Sequence, residues 1–244
     1  MISKAKLKFF ASLKERKVRQ DAGLFLVDGE KTFREALKAG LRPEVVFYTD
    51  AFMDKFGYIP SGSEYQEVSP QYLERISSLR SPEGIVAVFP LPTAGNRPEG
   101  PAFWLEGLQD PGNIGAILRV ADWFGIPSVF LSKDCADPWQ PKVVRASMGS
   151  VFKVHIQVLP DFYQDLAKDP FPGLLADMDG TPLQAFSFPQ NWNLVFGKEG
   201  SGLSDEVLHL PNAQKIAIPG DGNAESLNVG IAAGIIAWQY FQTK

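Results

Sequence analysis

The chain has 244 residues, and with 45% hydrophobic residues it can bury the core of one large or two small domains without cross-links. Its single cysteine, Cys135, excludes a disulfide framework and a cysteine-rich zinc site, and favours a reducing compartment; we expect a small buried residue there. The net charge of −4 argues against a protein that coats nucleic acid with its whole surface. The segment from Met1 to Phe10 is basic and only briefly apolar, so we expect no signal peptide and a cytoplasmic protein.

Positive charge is concentrated at the start of the chain, where residues 1–20 carry a net charge of +6. Such a segment is either an ordinary solvated helix face or an edge that contacts phosphates. The charge pattern alone does not choose between the two.

Residues 1–89 show short apolar runs alternating with helical patterns, which predicts a small N-terminal α/β domain. We predict strands over 24–27, 45–48 and 84–89, helices over 29–39, 51–56 and 69–76, and a polar turn at 61–63.

Residues 90–101 contain four prolines and two glycines, a composition that builds neither a helix nor a central strand. We therefore predict a linker at 90–101 and a second domain over 102–244. In this domain, strands alternate with helical segments, which predicts a mostly parallel sheet covered on both faces. The predicted strands are 102–106, 128–131, 154–158, 174–177, 194–196 and one ending at 218; the predicted helices are 114–124, 142–148, 162–166, one beginning at 204, and 231–240.

The last helix is apolar all round and contains several small residues, among them Gly230 and Gly234. We expect it to be packed on more than one side, with another backbone close to its glycines. It falls short of the roughly 20 apolar residues that a membrane span needs, so we expect no membrane helix.

A first candidate for chemistry is the turn into the helix 114–124, which carries Asn113 and Arg119. Helical side chains lean toward the N-terminus, so Arg119 lies over Gly115 and Ala116, which are too small to block it. Its guanidinium can therefore reach back toward the helix N-terminus, where an anion such as phosphate is favoured. The alternative is a surface ion pair of Arg119 with Asp110 or Asp122.

Two glycine-rich loops are the other candidates: 197–204, after a predicted strand, and 218–228, before the last helix. Loops of this kind expose backbone groups that can hold a flat polar ligand such as a nucleoside, although plain turns have the same composition. The only two histidines, His155 and His209, are far apart in sequence, and we expect each to be structural.

Taken together, the three segments resemble the SpoU (TrmH) group of RNA ribose 2′-O-methyltransferases, within the SPOUT superfamily. The resemblance covers nearly the whole chain, including an N-terminal unit similar to a ribosomal-protein-like RNA-binding module. The matching residues are Asn113, Gly115, Arg119 and Ala121 in the first segment; Gly197, Glu199, Gly200, Gly202, Leu203 and Ser204 in the second; and Ile218, Pro219 and Ser226 to Val229 in the third. The chain departs from the family pattern at Lys198, where Asn is common, at Gly220, where Met is common, and at Gly230, where Ser is common.

The resemblance implies a deep trefoil knot in the C-terminal domain, an exception to the usual absence of knots. It also implies a homodimer and a bent S-adenosylmethionine held by the backbone of Gly197, Ile218 and Leu227, with no metal. Arg119 would take the proton from the ribose hydroxyl or, as we favour, orient the phosphate and the ribose. Four further residues would hydrogen-bond the cofactor, the ribose and the loops: Asn113, Glu199, Ser226 and Asn228.

The expected function is therefore S-adenosylmethionine-dependent methylation of a ribose 2′-OH in RNA, with large-subunit ribosomal RNA as the substrate. Transfer RNA is the alternative substrate. Two alternative functions on the same fold are a non-catalytic RNA-binding or ribosome-assembly factor and an enzyme that methylates a base.

Overall fold

The computed structural model describes residues 3–56, 64–93 and 95–243. The chain forms two compact units: Met1–Thr93 with Asp137–Phe152, and Ala94–Ala136 with Lys153–Lys244. Residues 137–152, which lie inside the predicted domain 102–244, thus belong to the first unit. The predicted domain bounds were continuous in sequence, whereas the compact units are not.

The first unit is built on a four-stranded sheet in the order β1-β4-β2-β3. Strand β4 is antiparallel to both of its neighbours, and β3 is parallel to β2. The polar turn predicted at 61–63 lies outside the described residues. The elements of this unit are α1 (Lys4–Ser12), α2 (Arg16–Ala22), β1 (Leu24–Asp28), α3 (Glu30–Lys38), β2 (Val45–Tyr48), α4 (Asp50–Phe56), β3 (Glu64–Glu67), α5 (Pro70–Ile76), β4 (Ile85–Pro90) and α7 (Pro141–Ala146).

The basic N-terminal segment is a folded part of this unit, because Leu7 of α1 and Leu13, which caps the end of α1, are buried in its core. Arg19 is only 2% exposed, and its Nε donates to Asp137 Oδ2 at 2.9 Å. The same guanidinium donates to the carbonyl oxygens of Leu13 and Lys14. Arg19 therefore neither lies on a solvated helix face nor contacts phosphate, because its charge is paired with Asp137 inside the protein.

The second unit contains a six-stranded, all-parallel sheet in the order β10-β8-β9-β5-β6-β7. This confirms the predicted α/β class with a parallel C-terminal sheet; the trefoil knot stays a prediction. The elements are β5 (Ala102–Leu105), α6 (Pro111–Phe124), β6 (Ser128–Ser132), β7 (His155–Leu159), α8 (Phe162–Lys168), β8 (Gly173–Pro182), β9 (Asn193–Phe196), α9 (Asp205–Leu208), β10 (Gln214–Ala217) and α10 (Val229–Gln242).

Part of the predicted linker is anchored in this second unit through Arg97. Its Nη2 donates to Asn193 Oδ1 at 2.8 Å, and its other amino group is paired with Asp169. The guanidinium also lies 4.9 Å from the centre of the Phe171 ring, a cation–π distance.

The glycines of α10 allow a close approach of α6 in the same chain. A β-carbon on Gly230 would lie 3.1 Å from Ala116 Cβ, and one on Gly234 would lie 3.8 Å from Val120 Cγ2. The expectation of a close backbone neighbour is confirmed, but another face of α10 stays exposed, with four large apolar side chains: Ile231, Ile235, Trp238 and Phe241. Within the described residues, no helix combines the length and apolar character that crossing a bilayer would take.

Candidate active site at the carboxyl ends of the parallel strands

The three segments singled out in the sequence each follow the carboxyl end of a parallel strand. The turn 106–110 follows β5, the loop 197–204 follows the adjacent strand β9, and the loop 218–228 follows β10. Carboxyl ends of parallel strands lie at the same edge of a sheet, which is where α/β proteins place their ligands. The topology therefore directs all three segments to one edge.

The first turn of α6 is held by its own N-cap. Asp110 Oδ1 accepts a hydrogen bond from the backbone nitrogen of Asn113 at 3.0 Å, and Pro111 occupies the first turn, where its missing N–H costs nothing. Asn113 is thus fixed in the first turn, and its side-chain amide is left to interact with other segments.

A chain of side-chain hydrogen bonds joins the three segments. Asn113 Nδ2 donates to Glu199 Oε1 at 3.0 Å, and Asn228 Nδ2 donates to Asn113 Oδ1 at 2.8 Å. Asn228 Oδ1 then accepts from the backbone nitrogens of Gly230, at 2.9 Å, and Ile231, at 3.3 Å, and so caps α10. The structure therefore brings Asn113, Glu199 and Asn228 together.

The orientation of both amides in this chain follows from chemistry. An ionised carboxylate can only accept hydrogen bonds, so Glu199 requires the amino group of Asn113 to face it. The carbonyl oxygen of Asn113 must then face Asn228, whose amino group donates to it. This leaves the Asn228 oxygen for the helix N–H groups, which can only donate.

The loop 197–204 is a tight turn that requires glycine at its first position. Lys198 and Gly202 exchange two backbone hydrogen bonds, of 2.9 and 3.0 Å. A β-carbon on Gly197 would lie 2.2 Å from the carbonyl carbon of Gly202 and 2.4 Å from Leu203 N, distances that no side chain could adopt. Glycine at position 197 thus lets the chain pass directly over its own backbone.

Two hydrogen bonds of Ser204 hold the end of this loop, and one of them is to Glu106, a residue that the sequence patterns did not single out. Ser204 Oγ caps α9 by accepting from Val207 N at 3.4 Å, as its sequence pattern indicated. Ser204 N donates to Glu106 Oε2 at 3.0 Å, which links the loop to the end of β5. The position of Glu106 directly after a buried strand was the signal that could have identified it.

The loop 218–228 is the most open of the three segments. Ile218 is half-buried, and Leu227 is 49% exposed. Ser226 is exposed, and the hydrogen bonds of the described residues do not include one from its side chain. The structure therefore does not bring Ser226 into the network formed by Asn228, two residues further on.

Arg119 is exposed on α6, about 9 Å along the helix axis from Asn113. Across the part of the chain that the structure describes, it forms no ion pair. Asp110 caps the helix, and Asp122 lies 3.7 Å from Lys153 Nζ. The alternative interpretation, a surface pair of Arg119 with either aspartate, is wrong, and the guanidinium remains available to an anion.

The cysteine and the histidines lie outside this network. Cys135 is buried, its Sγ donates to the Leu105 carbonyl oxygen at 3.1 Å, and burial raises the pKa of its thiol, so it stays protonated at neutral pH. Burial lowers the pKa of His155, whose ring packs edge-on against Phe130. His209 Nδ1 lies 2.6 Å from the carbonyl oxygen of Asp205, within its own helix end.

Comparison with known proteins identifies both parts of the chain. Residues 101–238 match the SpoU rRNA Methylase family, and residues 4–87 match the MRM3-like substrate binding domain. The 23S rRNA (guanosine(2553)-2′-O)-methyltransferase RlmP of Bacillus subtilis is 27% identical over 96% of this chain and 94% of its own length.

Two solved structures are similar over nearly their whole length. A protein of the TrmH family from Porphyromonas gingivalis has a TM-score of 0.90, with 36% identity and complete coverage of both chains. The SpoU methyltransferase AviRb from Streptomyces viridochromogenes, solved in complex with the cofactor AdoMet, has a TM-score of 0.84, with 26% identity and 98% coverage of both chains.

Proposed function

The chain belongs to the SpoU rRNA Methylase family, and on that basis we propose that it methylates a ribose 2′-OH of large-subunit ribosomal RNA with S-adenosylmethionine as the methyl donor. The relative RlmP is named as a 23S rRNA 2′-O-methyltransferase, and AviRb binds AdoMet. The observation that carries the proposal is the hydrogen-bond chain from Glu199 through Asn113 to Asn228, because it joins the three segments that the family shares.

The residues around the two glycine loops fit a nucleoside-like cofactor. A β-carbon on Gly200, Gly220 or Gly222 would meet no atom within 4 Å, so backbone groups near these positions are accessible. We assign the backbone of Gly197, Ile218 and Leu227 to the cofactor. S-adenosylmethionine would supply an activated methyl group when bound, and the protein would align the ribose hydroxyl with it, the hydroxyl proton leaving to solvent water.

The hydroxyl of a ribose is a poor nucleophile at neutral pH, so holding it in line with the methyl group accounts for much of the rate. Arg119 is the available cation on α6, and we assign it to an RNA phosphate next to the target ribose. Its guanidinium would turn the ribose so that the 2′-oxygen faces the methyl carbon. A proton-accepting role would require a neutral guanidinium, and an arginine side chain keeps its charge in proteins.

The hydrogen bonds among Asn113, Glu199 and Asn228 hold the three segments together, so that the positions of the phosphate and the cofactor are fixed relative to each other. The exposed Ser226, two residues before Asn228, is available to the ribose or the cofactor. We further propose that the first unit, which matches a substrate-binding domain, grips the RNA, and that the enzyme works in the cytoplasm.

The proposal includes a homodimer, supported by the exposed apolar face of α10 and α6. Trp123 is 83% exposed and Trp238 is 52% exposed, and the latter stacks with Phe241 at 6.1 Å between ring centres. Exposed apolar patches of this kind mark interaction surfaces, and aromatic residues are enriched in protein interfaces. A second copy of the chain would cover this face.

The variant Arg119→Ala tests the assignment. We expect methyl transfer to fall about 10³-fold or more, equivalent to about 4 kcal/mol of barrier, because the phosphate anchor is lost. Binding of S-adenosylmethionine, measured by calorimetry, should stay at the wild-type level. Digestion of the product RNA and mass spectrometry of its nucleosides should show a methylated ribose and an unmodified base.

Lys168→Ala, an exposed cation of the same unit on α8, is the control and should retain wild-type turnover. Near wild-type turnover in Arg119→Ala would refute the role of Arg119. Absence of cofactor binding by the wild-type protein would refute the enzyme itself and favour a non-catalytic RNA-binding protein. A methylated base in the product would favour an enzyme that methylates a base.

A further inference from the structure

We propose that Lys198 is a preorganised contact for a phosphate of the RNA substrate, at the edge of the site formed by the three segments. This inference rests on the methyl transfer proposed above and adds a substrate-positioning residue to it. Lys198 precedes Glu199 in the glycine loop and is a departure from the family pattern. Its contacts show that it is unlike an ordinary flexible surface lysine.

The backbone of Lys198 is held by two hydrogen bonds. Its N–H donates to the carbonyl oxygen of Gly202 at 2.9 Å, and its own carbonyl oxygen accepts from Gly202 N–H at 3.0 Å. The preceding residue, Gly197, passes directly over the backbone of Gly202 and Leu203. The Cα of Lys198 is therefore held by the same tight turn that forms the loop.

Lys198 is exposed, and the stem of its side chain lies on Gly107. A β-carbon on Gly107 would lie 2.5 Å from Lys198 Cε, 2.9 Å from Cγ and 3.3 Å from Cδ. Gly107 has a φ of +64°, a left-handed conformation that favours glycine, and the missing side chain leaves the space that the stem occupies. Three carbons of the lysine therefore pack over the turn between β5 and α6.

These distances locate the ammonium group. A C–N bond is about 1.5 Å long, so Nζ lies within about 4 Å of the position of a β-carbon on Gly107. That turn leads directly into the first turn of α6, which carries Asn113. The charge of Lys198 is thus held at the edge where the three segments converge.

Within the ranges 3–56, 64–93 and 95–243, no carboxylate is paired with this charge. Lys198 forms no ion pair with any residue that the structure describes, and two carboxylates of the site have other partners. Glu199 accepts from Asn113, and Glu106 accepts from Ser204 N. A cation whose backbone and stem are already ordered loses little conformational entropy when it binds an anion. Lysine binds phosphate as a point charge, and RNA carries a phosphate at every nucleotide.

The variant Lys198→Met tests this proposal, because methionine keeps an unbranched apolar stem on Gly107 and removes the charge. We expect the KM for RNA to rise about tenfold at low salt, with a smaller change in kcat. The slope of log affinity for RNA against log salt concentration should weaken by about 0.7 to 0.9, the contribution of one phosphate contact. Lys198→Arg should keep the wild-type slope, and the exposed control Lys168→Met should leave both KM and slope unchanged.

The carboxylate of the cofactor is the other anion that an ammonium could hold at this site. An unchanged salt slope with weaker binding of S-adenosylmethionine would assign Lys198 to that carboxylate and overturn the phosphate contact. Unchanged values in both measurements would overturn it as well. The RNA affinity is measured by fluorescence anisotropy without cofactor, so the test of Lys198 stands even if the wild-type protein transfers no methyl group.

Discussion

The side-chain amide of Asn228 forms hydrogen bonds through both its oxygen and its nitrogen. Its oxygen caps α10, and its nitrogen donates to Asn113, which in turn donates to Glu199. The residue that starts the last helix is therefore the same residue that connects the helix to the site. Loss of the oxygen should therefore lower stability, and loss of the nitrogen should lower activity.

We expect Asn228→Asp and Asn228→Ala to separate these two roles. Aspartate retains the oxygen that caps α10 but cannot donate to Asn113, so Asn228→Asp should keep the wild-type melting temperature and lose about 100-fold in methyl transfer, about 2.7 kcal/mol of barrier. Alanine removes both contacts, and Asn228→Ala should lose activity and also about 1 kcal/mol of stability through the missing cap. Full activity of Asn228→Asp would show that the bond to Asn113 is dispensable. Differential scanning calorimetry and a methyl-transfer assay measure the two effects.

At the scale of elements, the tight turn in the loop 197–204 is formed by close contacts between backbone atoms. Gly197 and Gly200 are both glycines of the same loop, yet only Gly197 touches other backbone atoms. A similar close approach recurs at Gly180 of β8, where a β-carbon would lie 2.5 Å from Ile216 N on the adjacent strand β10. Glycine is required at these two points because backbone lies against backbone.

The pair Gly197→Ala and Gly200→Ala tests this account. The added methyl group at position 197 would overlap the peptide between Gly202 and Leu203, so the turn must open. We expect Gly197→Ala to weaken binding of S-adenosylmethionine by at least about tenfold, or about 1.4 kcal/mol, and to lower the melting temperature. At position 200 the methyl group meets no atom within 4 Å, and Gly200→Ala should keep the melting temperature. A Gly197→Ala protein with wild-type cofactor affinity, measured by calorimetry, would contradict the tight turn.

At the scale of the whole molecule, α10 has one face packed within the chain and another that is exposed. Its glycines accommodate α6 of the same chain, whereas Ile231, Ile235 and Trp238 stay exposed. Leaving such side chains in water is unfavourable by about 25 cal/mol for each Å² of apolar surface. A partner that covers this face therefore gains hydrophobic free energy, and a second copy is the partner that we propose.

The variant Trp238→Glu should convert a dimer into a monomer, because it places a charge where the apolar face would be buried. Sedimentation velocity at several protein concentrations measures the effect. Gln242→Glu adds the same charge at another exposed position of α10 and should leave the dimer intact. A wild-type protein that sediments as a monomer at every concentration would rule out the homodimer.

Several features of the molecule could not be predicted from local sequence patterns. Strand β3 was missed because its residues are polar and it lies at the edge of its sheet, so it lacks an apolar period. Residues 137–152 join the first unit because Asp137 pairs with Arg19, 118 residues away in sequence. Local patterns contain no information about contacts of that range.

The sequence by itself determined the α/β class, the parallel C-terminal sheet, most helices and strands, and the three segments that resemble one family. These properties depend on apolar periodicity, caps and glycine placement, which act over a few residues. Only the tertiary structure decided that Asn113 bonds to Glu199 and Asn228, 86 and 115 residues away, that Ser226 does not join them, and that Lys198 lies on Gly107. Such contacts depend on how distant loops meet at one edge of a sheet, which is settled by the packing of the whole chain.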